Sequence, residues 1–244
     1  IMVVDPKLIG ISGKIGNGKD LLFDVINYIV TEDYWTSFEH YMHESTPVDL
    51  VYQNKKFAGI LKDIACKLIG CNVSQLEDRK FKEKELGEEW WYCVADDGSY
   101  IPYVQNLHEG KVVNLVKLTP RKLLQLLGTE AGRQIIHPNI WVNALFADFE
   151  NNKSDWLSAT NSNWIITDVR FPNEAKAIKD RGGILIRINR PQYLDNGLVI
   201  RKDEHPSETA LDDYDGFDYV IENDGTVQDL IDKVKSLNIV ERIL

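Results

Sequence analysis

Little in this chain points to a membrane, an oxidising compartment or a nucleic acid. Cysteine is scarce: Cys66, Cys71 and Cys93 are an odd three, with no C-x-x-C pair among them. That argues against a disulfide framework and for a reducing, cytoplasmic setting. No apolar run approaches the roughly 20 residues that span a bilayer. The first apolar stretch is short and broken by Asp5 and Pro6, so neither a signal peptide nor a membrane partner is expected. Positive charge is in deficit too. With 28 Lys and Arg against 38 Asp and Glu, the net charge is −10, whereas a nucleic-acid face is ordinarily basic. No nucleic-acid partner is expected, although a small anion needs only a few placed cations. His40 and His43 are spaced to share a helix face as metal ligands, but no third ligand at suitable spacing accompanies them, and a surface pair is the better reading. Internal repeats and low-complexity tracts are missing as well.

What is present is an alternation of short apolar strands and amphipathic helices. At 244 residues, 43% hydrophobic and 27% charged, the chain suits one large α/β domain, or a core domain with a lid. Lys7 to Ser12 reads as a buried parallel strand, and Asp20 to Val30 carries apolar residues at helical period. A helix is expected over Phe57 to Leu68 with Gly70 past its end, then a single charged helix from Ser74 to Leu86. The runs WWYCV and YIPYV flank ADDGS as a hairpin turning at Asp97-Gly98. Thr119-Pro120 opens a helix over RKLLQLLG, and Asn139 caps IWVNALFADF. Strands follow at Trp164 to Asp168, Gly183 to Ile188 and Tyr219 to Ile221, with a helix from about Asn173 to Arg181 between the first two. Thr226 with Asp229 starts the last helix as a capping box. This order predicts an α/β fold with a mostly parallel central sheet flanked by helices.

The first strand runs into GKIGNGKD, from Gly13 to Asp20. Gly13 and Gly18 allow backbone angles closed to other residues, so that successive N–H groups can face phosphate oxygens. The following helix N-terminus favours an anion, and Lys19 can reach terminal phosphates. One residue departs from the pattern G-x-x-x-x-G-K-[ST]: Asp20 stands where a hydroxyl normally ligates Mg²⁺. A carboxylate is also a hard ligand suited to that ion. Asp20 thus either binds metal directly or orients a water or Lys19. A second acid belongs at a neighbouring strand end, and Asp168 fits, with Arg170 two residues on and Glu174 four beyond it. An arginine beside a metal acid suits a second phosphorylated substrate through a bidentate contact.

Asn152-Lys153-Ser154-Asp155 matches the guanine-reading N-K-x-D tetrapeptide of GTPases, but it follows an expected helix rather than a strand, and no D-x-x-G precedes it after Lys19. A GTPase is therefore rejected. The acidic charge disfavours a motor. A small-molecule kinase, which needs two anion sites, fits the scattered arginines 79, 121, 133, 170, 190 and 201.

SGKIGNGKD, FAGILKD, RKLLQLLGTE followed by Trp141-Val142, ITDVRFPNE and ENDGTVQDL, in this order from Ser12 to about Val234, resemble the bacteriophage deoxynucleoside monophosphate kinases. Asp20 is then a family trait. The resemblance implies ATP-dependent, Mg²⁺-assisted conversion of deoxynucleoside monophosphates to diphosphates in the host cytoplasm, on a single P-loop kinase domain, and a homodimer. It implies a core at about 1–35 and 119–244, a substrate-binding insertion at about 40–118 and a lid at about 190–207. By position, Gly13, Lys14, Gly16, Asn17, Gly18, Lys19, Asp20 and Leu21 would cradle ATP, with Asp20 and Asp168 at the metal. Ala58, Gly59, Lys62, Arg79 and Glu83 would serve the monophosphate; Gly128, Thr129 and Trp141 would shape the nucleoside pocket; Asp168, Arg170 and Glu174 would sit where the substrates meet. Lys19, Asp20, Asp168 and Arg170 would be the catalytic set, and Arg190 or Arg201 the lid arginine. Asn223 and Asp224 would either edge the adenine site or merely form, with Thr226, a turn and helix cap. The alternatives are a P-loop kinase of another phosphorylated metabolite and a nucleotide-binding regulator without activity.

Overall fold

Apolar runs too short to be helices become the strands, and the amphipathic runs between them become helices. The computed structural model describes residues 8–31, 34–43, 51–102, 114–153, 163–191 and 209–237. In chain order these form β1 (Leu8–Ser12), α1 (Lys19–Val30), α2 (Phe38–His43), β2 (Gln53–Lys55), α3 (Ala58–Ile69), α4 (Val73–Glu77), α5 (Arg79–Glu83), β3 (Tyr92–Val94), β4 (Tyr100–Pro102) and β5 (Asn114–Val116). There follow α6 (Pro120–Gln125), a π-helical stretch (Leu126–Ile136), α7 (Ile140–Lys153), β6 (Trp164–Val169), α8 (Pro172–Lys179), β7 (Ile184–Asn189), β8 (Tyr219–Glu222) and α9 (Val227–Ser236). The chain divides into two compact units, Ile1–Phe57 with Val142–Leu244, and Ala58–Trp141.

The first unit is built on a five-stranded sheet in the order β2-β6-β1-β7-β8. Every pairing in it is parallel. All five residues of β1 are buried, as expected of a central parallel strand covered on both faces. Leu22, Val25, Ile26 and Ile29 of α1 recur at helical spacing and join Ile9, Ile11, Ile165, Ile186 and Ile231 in one core. Burying such a side chain contributes about 1.5–3 kcal/mol. Between β1 and β6 the register passes from Gly10–Ile166 to Ser12–Val169, one extra residue on β6 across Thr167 and Asp168. A bulge of this kind re-aims side chains, here at the strand end that carries the acid. Sequence reading missed β2, three largely polar residues at the sheet edge. They are held from outside the strand: the buried Asn27 of α1 accepts from the Tyr52 amide at 3.0 Å, and Gln53 N donates to Asn163 O at 2.9 Å.

The second unit has a three-stranded antiparallel sheet, β4-β3-β5, and a small core of Ala65, Cys66, Leu76, Leu118 and Leu123. The expected hairpin is present, with Gly98 at φ 81° in its turn, and β5 adds a third strand. The single charged helix expected over 74–86 is two short helices instead. Asp78 sits between them at φ −63°, ψ 129°, and caps the second by accepting from Phe81 N at 2.7 Å. Thr119 caps α6 as expected, but the helix runs past RKLLQLLG into the π-helical stretch. Asn152 and Lys153, half of the N-K-x-D match, lie within α7 rather than after it. His40 and His43 are both exposed in α2, and among the described residues no group of three His, Cys, Asp or Glu suits a metal ion. The three cysteines are free thiols. No helix of the described residues is long and apolar enough to cross a membrane.

Candidate active site

The loop between β1 and α1 is shaped by close approaches that only glycine permits. A Cβ on Gly13 would stand 2.5 Å from the Ile188 carbonyl oxygen. Gly18 has φ 95°, and a Cβ there would meet Asn223 Nδ2 at 2.6 Å. Both positions are therefore closed to other residues. Two buried amides brace the loop from beneath: Asn17 Nδ2 donates to Ile188 O at 3.0 Å, and Asn223 Nδ2 donates to Asn17 O at 2.9 Å. Asn223 is itself fixed by its own amide on Asn189 O at 2.7 Å. Lys19 lies back across the loop, its ammonium donating to Gly13 O at 2.6 Å and Lys14 O at 2.9 Å. Gly16 is at φ 83° on the exposed crest, and Leu21 is half-buried behind the loop.

Two carboxylates flank this loop. Asp20, in the first turn of α1, accepts from the Thr167 hydroxyl of β6 at 3.2 Å and pairs with Lys56 Nζ at 3.1 Å. The same hydroxyl is 3.0 Å from Asn54 Oδ1. Burial alone would raise the Asp20 pKa, but the Lys56 charge and the hydrogen bonds of Lys56, Thr167 and Asn54 outweigh it and hold it below the usual aspartate value. One turn on, Asp24 is pushed up to about 6 by burial and by the Asp20 charge. Asp168 accepts from the Phe57 amide at 2.8 Å, so the chain leaving β2 fixes its carboxylate. Glu174 is only 1% exposed; its Oε2 accepts from Arg170 N at 2.8 Å and Phe171 N at 3.1 Å. This buried acid caps α8 and holds the backbone that carries Arg170.

Both acids present hard oxygen donors, and the Asp20 side chain is 69% exposed. Mg²⁺ is usually held by one or two carboxylates together with waters and phosphates. Each carboxylate therefore has the donor chemistry that a magnesium ion bound with a nucleotide would need.

A second charged cluster stands at the far side of the loop. Arg187 of β7 donates to Ser12 Oγ at 3.0 Å and to Asp212 at 2.9 Å, and Lys14 pairs with the same Asp212 at 3.3 Å. Neither Arg187 nor Asp212 is in a motif, and both escaped sequence reading, as did Asn54, Lys56 and Thr167. The only available signal was that Arg187 interrupts the apolar strand ILIRIN.

Elsewhere the expected residues fall out as follows. Asp224 pairs with Lys233, and Thr226 caps α9 through Asp229, so the turn-and-cap reading of ENDGT describes the geometry present. Arg190 is exposed just after β7, and Arg201 lies outside the described residues. Within the second unit, Ala58 and Gly59 open α3, and Lys62 is bonded to Glu77, which also faces Lys82 at 3.6 Å. Glu83 accepts from Arg121. Arg79 is exposed at the start of α5, and Thr129 is half-buried in the π-helical stretch. The Gly128 carbonyl accepts from Arg133 at 2.7 Å and from the Trp141 indole at 2.8 Å. Trp141 is 6% exposed, and a Cβ on Gly132 would stand 3.0 Å from its ring. That face is committed to packing in this state.

The family model described as deoxynucleotide monophosphate kinase matches residues 7–234. The deoxynucleoside-5'-monophosphate kinase of Escherichia phage T5 is 26% identical over 235 residues, covering 84% of each chain. The deoxynucleotide monophosphate kinase of Enterobacteria phage T4 is 34% identical over 119 residues, 48% of this chain and 44% of the relative. That of Escherichia phage RB69 is 27% identical over 117 residues, 48% and 43% of the two chains.

Proposed function

The chain belongs to the deoxynucleotide monophosphate kinase family, and from that premise we propose how its residues carry the phosphotransferase activity. The observation that carries the reading is the link across the sheet. Parallel pairing of β1 with β6 ends at Ser12–Val169, and the Thr167 hydroxyl reaches Asp20 at 3.2 Å. The acid of the loop helix is thus bonded to the residue that precedes the strand-end acid Asp168.

In this reading the loop amides from Gly13 to Gly18 and the helix N-terminus hold the phosphates of ATP, and Lys19 turns from the loop carbonyls onto the terminal phosphates. Asp20 and Asp168 would hold magnesium, which when bound would supply charge neutralisation to the transferring phosphates. A phosphate oxygen of the deoxynucleoside monophosphate attacks the γ-phosphorus in line. The bond to the bridging oxygen breaks, and ADP leaves with that oxygen. Arg170 takes the acceptor phosphate through its guanidinium fork, and Glu174 positions Arg170 through the backbone. Asn17 and Asn223 act as braces of the loop. To the second unit we assign recognition of the monophosphate, by Lys62 and Arg79, and a nucleoside pocket shaped by Gly128 and Thr129, with Trp141 behind them holding the Gly128 carbonyl through its indole. Since ATP and free nucleotides are cytoplasmic metabolites, that compartment is the inferred site of action.

The test is ADP release from Mg-ATP with each of dAMP, dCMP, dGMP, dTMP and their ribose counterparts. Turnover with one or more deoxynucleotides is expected. Silence across that panel, with ATP still bound, would remove the acceptor assignment and favour a kinase of another metabolite. Arg170→Ala should raise KM for the monophosphate by roughly ten- to a hundredfold, as loss of a charged hydrogen-bonding partner does. An effect confined to ATP would take the acceptor role away from Arg170.

A further inference from the structure

Lys56 belongs to none of the motifs, yet it stands against the loop's unusual acid. It follows the polar edge strand β2, and its ammonium is 3.1 Å from Asp20 Oδ1, with the lysine side chain 33% exposed and the aspartate 69%. Its neighbours in sequence are committed to the same place: Asn54 contacts the Thr167 hydroxyl, and the Phe57 amide holds Asp168. The segment 54–57 therefore lines both acids, and Lys56 is its one cation directed at Asp20.

The physical problem it answers is set by the carboxylate itself. A serine or threonine in this place is neutral and leaves the loop attractive to phosphate at all times. An aspartate repels phosphate until a cation covers it. Two cations cannot both crowd one carboxylate oxygen without repelling each other. We infer that Lys56 is the resident counter-ion of Asp20 and gives way to the divalent cation when the metal-nucleotide complex enters the loop, so that Lys56 sets how strongly metal and nucleotide binding are coupled. This inference rests on the reading of Asp20 as a metal-side acid. Without metal, Lys56 keeps the loop receptive to an anion. With metal, Lys56 must turn away, and its departure opposes the ion.

The readout is the ratio of ADP affinity in Mg²⁺ to ADP affinity in EDTA, measured by calorimetry on the full chain; coupling of this kind is reciprocal between the two ligands. Lys56→Gln should weaken ADP in EDTA and raise the ratio about two- to fivefold, the range for a partly exposed ion pair. Lys56→Arg, which keeps the charge, should stay near the parent ratio. An unchanged ratio in Lys56→Gln, or an Lys56→Arg variant that behaves like it, overturns the inference. Asp20→Asn separates the two levels of the argument. It should lower the ratio and abolish the effect of Lys56→Gln in the double variant. If Asp20→Asn lowers the ratio while Lys56→Gln leaves it alone, only the role of Lys56 falls. If Asp20→Asn leaves the ratio intact, the metal reading of Asp20 falls and takes this inference with it.

Discussion

The two units differ in how they hold polar side chains away from water, although exposed ion pairs such as Lys176–Asp180 occur in the loop unit too. In the unit of the phosphate loop several are buried and fixed: Asn17 and Asn223 are each 5% exposed, Asn27 and Glu174 1%, and each is tied to backbone groups. In the unit 58–141 the pairs run between long, exposed side chains, such as Arg121–Glu83 with 40% and 54% of their side chains in water. Buried amides that pair with backbone are costly to disturb, because the partner is left unsatisfied away from water. Exposed ion pairs are replaced by solvent at little cost. The first arrangement suits a rigid cradle for a constant group, the triphosphate. The second suits a surface whose contacts can be exchanged without loss of fold.

The largest effect that sharpens this contrast is functional. Lys19→Met should lower kcat by on the order of 10³-fold or more, as removal of a preorganised cation from a charged transition state does. Its melting temperature should stay close to the parent value, because the lysine's bonds to the Gly13 and Lys14 carbonyls are partly exposed and water can replace them. Circular dichroism melts beside the coupled ADP assay check both halves. Normal turnover would remove the loop from the mechanism.

Next in size is a brace. Asn223→Ala should cost about 1–3 kcal/mol in denaturant unfolding, the penalty for stranding a buried partner, here Asn17 O. It should also weaken ADP, since Gly18 packs against the lost side chain. Stability loss below 0.5 kcal/mol would be that of a surface residue, and the contrast between the units would fail there.

Smaller still is a pH effect in α1. Asp24 has its pKa raised to about 6 by burial and the Asp20 charge. A carboxyl whose folded pKa lies above its unfolded value binds more protons when folded, so its contribution lowers stability as pH rises from about 4 through 6. Asp24→Asn removes that loss. In nucleotide- and metal-free protein it should stabilise by about 1 kcal/mol at pH 8, after allowance for solvent screening, and by almost nothing at pH 4. A gain equal at both pH values would mean that packing, and not charge, is responsible.

How much of this was legible in the sequence follows the same division. The loop could be read because its constraints are local: glycines at fixed spacing, a strand before them and a helix after. Asp168 could be read because a strand-end acid is a local sign too. The edge strand Gln53–Lys55 could not, since three polar residues carry no period and are held by Asn27 and Asn163 from distant segments. Lys56 gains meaning only from that pairing, and Arg187 and Asp212 only from their contact with each other and with Lys14. In the second unit, the break at Asp78 had a sign in retrospect, an aspartate followed three residues later by the amide it caps. The π-helical stretch had none. Gly128 and Gly132 look like helix ends in sequence, yet they sit within it, because a Cβ there would stand 2.9 Å from Leu61 and 2.5 Å from the Leu127 carbonyl oxygen.

The smallest expected effect is the one that most directly probes the second unit. Glu83 accepts from Arg121 across two exposed side chains. Glu83→Ala should cost about 0.5 kcal/mol or less, because water replaces the carboxylate and two flexible side chains regain freedom. Denaturant midpoints of the variant and of the double variant with Arg121→Ala measure the pair alone. A coupling near 2 kcal/mol would mean that the pair is desolvated and structural in solution. Its loss should then also raise KM for the monophosphate without touching ADP affinity, if the second unit recognises the acceptor. A small coupling together with a raised KM would instead assign Glu83 to substrate recognition and not to the fold. The two measurements together therefore decide whether the exposed charges of this unit are exchangeable contacts or a scaffold of their own.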